Sequence, residues 1–479
     1  MKRILGIFLL WCVWLCSLQA KETVIVIYST NDMHGSISSF AKIARYIASE
    51  RTRHPHVLVL SGGDIFSGNP VVDQYPQRGL PIIDLMNRTG YQYGAFGNHE
   101  FDYGQETLAQ CIRAAGFEML CANLHTDSIG LIRPKPYTFT EAGGIRICIL
   151  GLTETGKRYK GKPIPSAHPD RLKGLTFTTP LETALKYRHL REECDLFIGL
   201  FHTGYQTDKK IAQAMPELDV IIGGHSHTRI PSTRLINGVL VTQAEDNLKH
   251  IGKTTLIFRD KRLIEKTFEL IDVATLTEED SLIRQRILKY EEASPLQQVL
   301  AHATAQFDGR HPLGHLMADA ITHISPTDFA FQNSGGIRIG MLPKGDITLE
   351  DVYRLDPFGN SVVVYEMTPS DIRTLLKNSY RKGDKNVDLI PSGLNYTLHI
   401  RDGKVTHITL TDKEVRPLDE GHRYTVGMNS YIASAYRFDK SLPHQEMQLK
   451  ATDALIEYLK RQQEVTPSKV RRGLIEEEK

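Results

Sequence analysis

Seven side chains with metal-ligand chemistry stand where apolar runs of this chain end. The runs are VIVIYSTNDMHG (24–35), VLVLSGGD (57–64), YGAFGNHEFD (93–102), LFIGLFHTG (196–204) and VIIGGHSHT (220–228). Their ligand candidates are Asp32, His34, Asp64, Asn98, His202, His225 and His227. This is more than one ion needs and suits two ions sharing a bridging carboxylate. Asp64 is the natural bridge, because a carboxylate offers two oxygens. Mixed Asp, His and Asn donors suit Zn²⁺, Mn²⁺ or Mg²⁺. Two such ions about 3.5–4 Å apart can clamp a phosphoryl oxygen and generate hydroxide from bound water. The chemistry these residues point to is hydrolysis at a dinuclear metal centre.

The spacing supports convergence. Asp32 and His34 form an i, i+2 pair that can meet one ion from a turn, and His225 and His227 repeat it. Glycines flank nearly every candidate, and glycine permits the tight turns and close backbone approach that an ion site requires. His99 follows Asn98 directly and projects differently from it. Asp102, three residues on, can orient and stabilise a His99 imidazolium. Such a dyad supplies positive charge to a developing phosphorane and can protonate a leaving oxygen. His54, His56, His125, His168 and His189 stand outside the pattern and are read as ordinary.

Ligands at strand ends need strands. From Glu22 to about Asp272, short β-rich apolar runs alternate with helical patterns at Phe40–Glu50, Gly104–Ala115 and Thr179–Glu192, and RICILGLT (146–153) adds a core strand. That alternation predicts α/β layering, with strands covered on both faces. Open α/β sheets place their sites at the carboxyl ends of strands, where these ligands fall. Leu276–Ala293 reads as a connecting helix with Thr277 as N-cap and a stripe of Leu282, Ile283, Ile287 and Leu288, ended by Ser294-Pro295. The second half opens with a helix, His311–Ile324, followed by DFAFQNSGGIRIG, SVVVYEM, LNYTLHI, THITL and YTVGMNS. It reads as a mixed α/β domain with its own core and no ligand cluster.

Composition sets the frame. At 479 residues the chain is too long for one ordinary core, and 41% hydrophobic with 24% charged residues describes a globular protein. A formal net charge of +2 gives no strong field toward nucleic acid polymers or membranes. Lys2 and Arg3 precede an apolar run, Ile4–Leu18, with Ala20 before Lys21. This is the pattern of a cleaved secretory signal, so the expected location is outside the cytoplasm, in the periplasm or at the cell surface, with no membrane span after cleavage. Cys12 and Cys16 leave with it. Cys111, Cys121, Cys148 and Cys194 read as buried free thiols, although an exported protein leaves room for a disulfide.

The motif order NDMHG, SGGD, GNHEFD, HTG, GGHSHT resembles the calcineurin-like metallophosphoesterases. Nearly all of the mature chain resembles their bacterial 5'-nucleotidase branch, which includes UDP-sugar hydrolases, as FDYGQETL, PYTFTEAGGIRICILGLT and LDVIIGGHSHT also match. The resemblance implies a four-layer α/β/β/α N-terminal sandwich and a mixed α/β substrate domain, an α/β (α+β) protein overall. The implied divisions are 1–20 signal, 21–272 metallophosphoesterase domain, 273–297 linker helix and 298–479 substrate domain. It further implies that Asp32, His34, Asp64 and His227 hold one ion. Asp64, Asn98, His202 and His225 would hold the other, with His99 and Asp102 as the catalytic pair.

In the second half, NSGGIR (333–338) resembles the branch's NGGGIR and LDPFGNSV (355–362) its LPFGN loop. Asn333 and Arg338 would then contact substrate, and Phe358 would stack on a base, with Tyr431 as the second aromatic and Arg310 as a shifted upstream arginine. Two departures weaken the nucleotide part of the likeness: no NGGDG-like stretch follows Tyr431, and His315 stands where asparagine is usual. The expectation is an exported phosphomonoesterase using two divalent ions on nucleoside 5'-monophosphates, with closure about the linker helix. Cyclic nucleotides, UDP-sugars, sugar phosphates and thiosulfate-like esters stay open as substrates. A non-catalytic surface binding protein is the alternative outside enzymes.

Overall fold

Two six-stranded sheets lie face to face within residues 22–272, because their strands are apolar on both sides and need two covers each. The computed structural model describes residues 22–293, 296–325, 327–383, 385–468 and 470–478; the signal pattern with Cys12 and Cys16, and Ser294-Pro295, lie outside them. The first sheet runs, in order, Arg262–Asp272, His250–Arg259, Glu22–Thr30, Val57–Ser61, Tyr93–Ala95 and Glu118–Leu120. The second runs Leu235–Ile236, Val239–Thr242, Val220–Ile222, Leu196–His202, Ile145–Thr153 and Tyr137–Ala142. Ile25, Ile27, Leu58 and Leu60 meet Ile147, Ile149, Ile198 and Leu200 in the core between the sheets. The alternate residues Val26, Tyr28 and Val59 face the helices Phe40–Arg53 and Leu80–Thr89. Helices Pro180–Lys186 and Tyr205–Ala214 cover the far side of the second sheet. The layering is the expected α/β/β/α sandwich.

The central strands are parallel, and their register aligns their ends. Thr30 pairs with Ser61, Ser61 with Gly94 and His202 with Thr153. The loops that leave these ends therefore emerge side by side, and Asp32 N–H donates to Gly63 O at 2.9 Å and His34 N–H to Asp64 O at 3.1 Å.

Three local expectations need correction. The pattern at 179–192 is not one helix but an α-helix, Pro180–Lys186, followed by a tighter turn of helix, Arg188–Glu193. The connecting helix spans Ser281–Glu292, and its cap is Asp280, which accepts from Leu282 N and Ile283 N at 3.0 Å, rather than Thr277. Its buried stripe is Ile283, Ile287 and Tyr290, whereas Leu282 is 73% exposed and Leu288 39%. This helix is seated on the first half: Tyr290 Oη and Arg286 Nε both donate to Asp84 at 2.8 Å. Cys111, Cys121, Cys148 and Cys194 are free thiols, all but Cys194 buried.

The second half centres on a five-stranded sheet ordered Leu389–Ser392, Phe329–Asn333, Tyr424–Asn429, Ser361–Met367 and His444–Lys450. Helices Arg310–Ile324 and Ala451–Gln462 pack together beside it, and Pro369–Ser379 covers the side of Phe331, Tyr365 and Met428. No strand among the described residues is shared between the two halves' sheets. No helix among them is long and apolar enough to cross a membrane.

His315 lies inside Arg310–Ile324, 3% exposed, its Nδ1 donating to Pro391 O at 3.1 Å and its Nε2 without a partner. Burial, reinforced by Arg472, lowers its pKa to about 4. Unfolded, it protonates near about 6.5. The unfolded chain therefore takes up the proton first as pH falls, and the stability tied to neutral His315 is complete above that value. It is lost between the unfolded pKa and the folded value of about 4. The size is roughly 3 kcal/mol at most. His315→Asn is expected to flatten the pH dependence of thermal unfolding across that window, measured as melts of variant and parent at matched pH.

Candidate active site

Strand ends from both sheets bring the seven expected ligands to one place. Asp32, His34 and His227 form one convergent group, and Asp64, His202 and His225 another. In the first, His34 Nε2 lies 3.1 Å from His227 Nε2, which is 3.3 Å from Asp32 Oδ1. In the second, His202 Nε2 is 3.1 Å from Asp64 Oδ2, and His225 Nδ1 is 2.9 Å from Asn98 Oδ1. His202 Nε2 also lies 3.9 Å from Asp32 Oδ1, so the two groups adjoin.

The backbone here is shaped for convergence. Asp32, His34, Asp64, His225 and His227 all have positive φ, between 47° and 75°. Left-handed backbone is uncommon for residues other than glycine, and clusters of it mark functional sites. Glycine is required beside them: Gly63 has φ 90°, and a Cβ on Gly97 would overlap the Asp64 carboxylate.

The residues fit divalent ions. His202 Nδ1 bonds to Gly62 O at 2.8 Å and His227 Nδ1 lies 3.1 Å from Asp246, which leaves each Nε2 lone pair facing the carboxylates. His202 Nε2 and His34 Nδ1 are buried without an aligned hydrogen-bond partner, the former despite its 3.1 Å approach to Asp64. Donors on a tetrahedral ion at about 2.0–2.1 Å stand roughly 3.4 Å apart, close to the separations seen here. The charge balance agrees. Burial lowers His202 and His227, but Asp64 acting on the first, and Asp246 with Asp32 on the second, outweigh it and raise them to about 10 and about 9. Burial likewise pushes the Asp64 carboxyl up, yet His202 and His99 hold it well below the usual carboxylate range. These buried carboxylates call for positive charge at their centre.

His99 and Asp102 form the expected pair, His99 Nδ1 donating to Asp102 Oδ2 at 2.6 Å. That bond leaves Nε2 free, 4.0 Å from Asp64 Oδ2. The His99 backbone N–H donates to Asp64 Oδ1 at 2.8 Å, so the ligand and the dyad are positioned together. Burial opposes protonation of His99, but Asp102 and Asp64 outweigh it and its pKa is raised.

Three positioning residues escaped sequence reasoning. Glu100 is fully buried and accepts from the backbone of Asp64, Ile65 and Gly97 at 3.1, 2.7 and 2.5 Å. Asn31 donates to Asp32 Oδ2 at 2.6 Å and accepts from Ala244 N at 2.7 Å. Asp246 orients His227. Glu100 sits inside GNHEFD and Asn31 inside NDMHG, each beside a residue with stronger ligand chemistry.

A cavity of ≈ 300 Å³ opens between the halves, and Asp64, Asn98, His99, His225 and His227 form its floor. Asn333, Arg338, Phe358 and Tyr431 line it from the second half. Phe358 lies near-parallel to His99 at 6.2 Å, and the Arg338 guanidinium sits 5.7 Å from the Phe358 ring. Arg338 makes no ion pair among the described residues. Asn333 Oδ1 is taken by Asn429 Nδ2 at 2.9 Å, and the Tyr431 hydroxyl by Lys157. Arg310 is not in this cavity; it is exposed and lines an adjoining groove that reaches His34 and His227. His168, read as ordinary, lines the cavity wall 6.1 Å from the Tyr431 ring. Arg171 donates to Phe358 O at 2.9 Å and ties the loop of Phe358 to the first half.

Residues 25–229 match the calcineurin-like phosphoesterase family and residues 295–437 the 5'-nucleotidase C-terminal domain. The chain is 29% identical to a 5'-nucleotidase of Vibrio cholerae serotype O1, over 85% of this chain and 84% of that protein. It is 26% identical to protein UshA of Escherichia coli strain K12, over 87% of each. A 5'-nucleotidase precursor of Thermus thermophilus superposes with a TM-score of 0.79 at 27% identity, covering 94% of this chain and 99% of that one.

Proposed function

Because the chain belongs to the calcineurin-like phosphoesterases and carries their 5'-nucleotidase C-terminal domain, we propose that it hydrolyses nucleoside 5'-monophosphates to nucleoside and phosphate at a dinuclear metal site. The observation that carries this reading is the single cavity in which Phe358 and Arg338 of one half face Asp64, Asn98 and His99 of the other. Residues 21–272 serve as the metal-holding unit, 298–479 as the substrate unit and 273–297 as the connector. The basic and apolar pattern at residues 2–20 supports export to the periplasm or cell surface.

Asp32, His34 and His227 would hold one ion, Asn98, His202 and His225 the other, and Asp64 would serve both. The ions supply Lewis acidity toward phosphoryl oxygens and make water nucleophilic at neutral pH. The chain's own groups complete the site. His99, anchored by Asp102 at 2.6 Å, holds a proton on the cavity side for the leaving ester oxygen. The Arg338 guanidinium and the protonated His99 draw in the phosphoryl charge. The Phe358 ring offers a flat apolar face to a base, and such stacking tolerates different bases.

A second reading, a substrate with a further anionic group such as a UDP-sugar, draws on Lys157 and Arg381 in the same cavity wall. Arg381 is already paired with Asp388 at 2.5 Å, which favours the monophosphate. Substrate profiling separates the two. AMP, UMP, ribose 5-phosphate, a cyclic nucleotide and a UDP-sugar are compared on parent and Phe358→Ala. Base stacking worth about 1–3 kcal/mol predicts a KM rise of roughly 5- to 150-fold for nucleotides and little change for ribose 5-phosphate. Equal effects on both would remove Phe358 from base recognition, and no phosphate from any nucleotide would remove the proposed substrate class.

A further inference from the structure

Far from the cavity, the sheet of Lys404–Asp412, Leu394–Arg401 and Gly473–Glu477 gathers a second set of ligand-type side chains, although the second half was expected to hold none. His399 and His407 are cross-strand partners in the antiparallel pair, and the parallel strand sets Glu476 beside His399. Glu478 follows directly. One ligand atom from each of His399, His407 and Glu478 lies within 4.8 Å of the other two. His407 Nδ1 is 3.3 Å from Glu478 Oε1, and His399 Nδ1 is 3.4 Å from Glu476 Oε2. Donors about 2.0–2.1 Å from a tetrahedral ion are spaced by roughly that edge.

The arrangement is partly built: His399 and Glu478 are 17% and 24% exposed, whereas His407 and Glu476, at 57% and 61%, stand in solvent. The two imidazoles stack at 3.8 Å with 6° between their planes, so the exposed ring of His407 must turn for both in-plane lone pairs to meet one ion. Glu478 is fixed from behind: its N–H donates to Ile400 O at 2.8 Å, and Oε2 accepts from Thr406 Oγ1 at 3.1 Å and lies 3.3 Å from Arg401. Those bonds leave Oε1 for the histidine side. Carboxylate ligands oriented by such outer partners are the usual construction of metal sites. Two imidazoles and a carboxylate favour borderline ions such as zinc over magnesium or calcium.

We propose that His399, His407 and Glu478 form a zinc-type site separate from the dinuclear centre, with Glu476 or water completing the coordination. Its ion clamps the strand Gly473–Glu477 to the hairpin that it borders. The test loads the full chain with Zn²⁺, removes excess by gel filtration and counts bound ions in parent, His407→Ala and Glu478→Gln. Either variant is expected to hold one ion fewer per chain than the parent, with phosphate release unchanged. In an Asp64→Ala background, Zn²⁺ is expected still to raise the melting temperature, and the added His407→Ala to abolish that rise. Equal ion counts in parent and both variants would overturn the site. Loss of phosphate release alone bears on the cavity and leaves this count unaffected.

Discussion

Asp64→Ala is expected to strip the chain of its active-site metal and to cut phosphate release by about 10³-fold or more, since metal stabilisation of the transition state supplies several kcal/mol. The position is demanding. Its Oδ2 lies 3.1 Å from His202 Nε2, its Oδ1 accepts the His99 N–H at 2.8 Å, and its own φ is 52°. No other carboxylate in the cluster stands between both ligand groups while also fixing the His99 backbone. Asp64→Asn keeps the shape but loses charge, so it is expected to retain the fold and still lose metal. Metal content after gel filtration, read beside the rate, checks both. Full metal content in Asp64→Ala would remove it as the bridge.

His99→Ala is expected to behave differently. It should lower kcat by about 10²- to 10⁴-fold, the range for a positioned general acid, while leaving bound metal in place. His99 contacts the ligands through its backbone, 2.8 Å from Asp64, which alanine preserves. An interaction made chiefly in the transition state lowers kcat and kcat/KM together. Steady-state kinetics with AMP on metal-loaded variant and parent therefore separate the roles. A raised KM with unchanged kcat would make His99 a binding residue only. Asp102→Asn should act in the same direction and less severely, because it disturbs the 2.6 Å anchor and not the ring itself.

The contrast between these two variants reflects what the residue order made readable. Apolar runs ending in Asp, Asn or His located the strand ends; parallel register set the loops of Asp32 and Asp64 side by side, and packing of the second sheet on the first brought His202 to them. The left-handed backbone of Asp32, His34, Asp64, His225 and His227 was not readable, since aspartate and histidine take either sign of φ and only the fold selects one. Glu100 and Asn31 were hidden for another reason. Their partners are backbone amides and a neighbouring carboxylate, and a sequence does not print which amides converge.

The connector shows the limit of capping signals. Thr277 and Asp280 are both good N-cap types, and packing of Ile283, Ile287 and Tyr290 on the first half chose the later one. The pattern at 179–192 read as continuous because one break in helix type costs little in periodicity. In the second half, His399 and His407 sit eight residues apart in separate runs, and only the hairpin register makes them neighbours. Arg310 has no local motif to fix its place and lies in the adjoining groove, whereas Arg338, inside NSGGIR, lines the cavity.

Release of phosphate from a nucleoside 5'-monophosphate is expected to depend on bound metal. The purified chain is treated with a chelator, gel-filtered and assayed with AMP before and after addition of Zn²⁺, Mn²⁺ or Mg²⁺. No phosphate is expected from the chelated chain, and activity is expected to return with at least one of the three ions. Undiminished release from the chelated chain, or none from AMP or any other nucleoside 5'-monophosphate with every ion, would contradict that expectation.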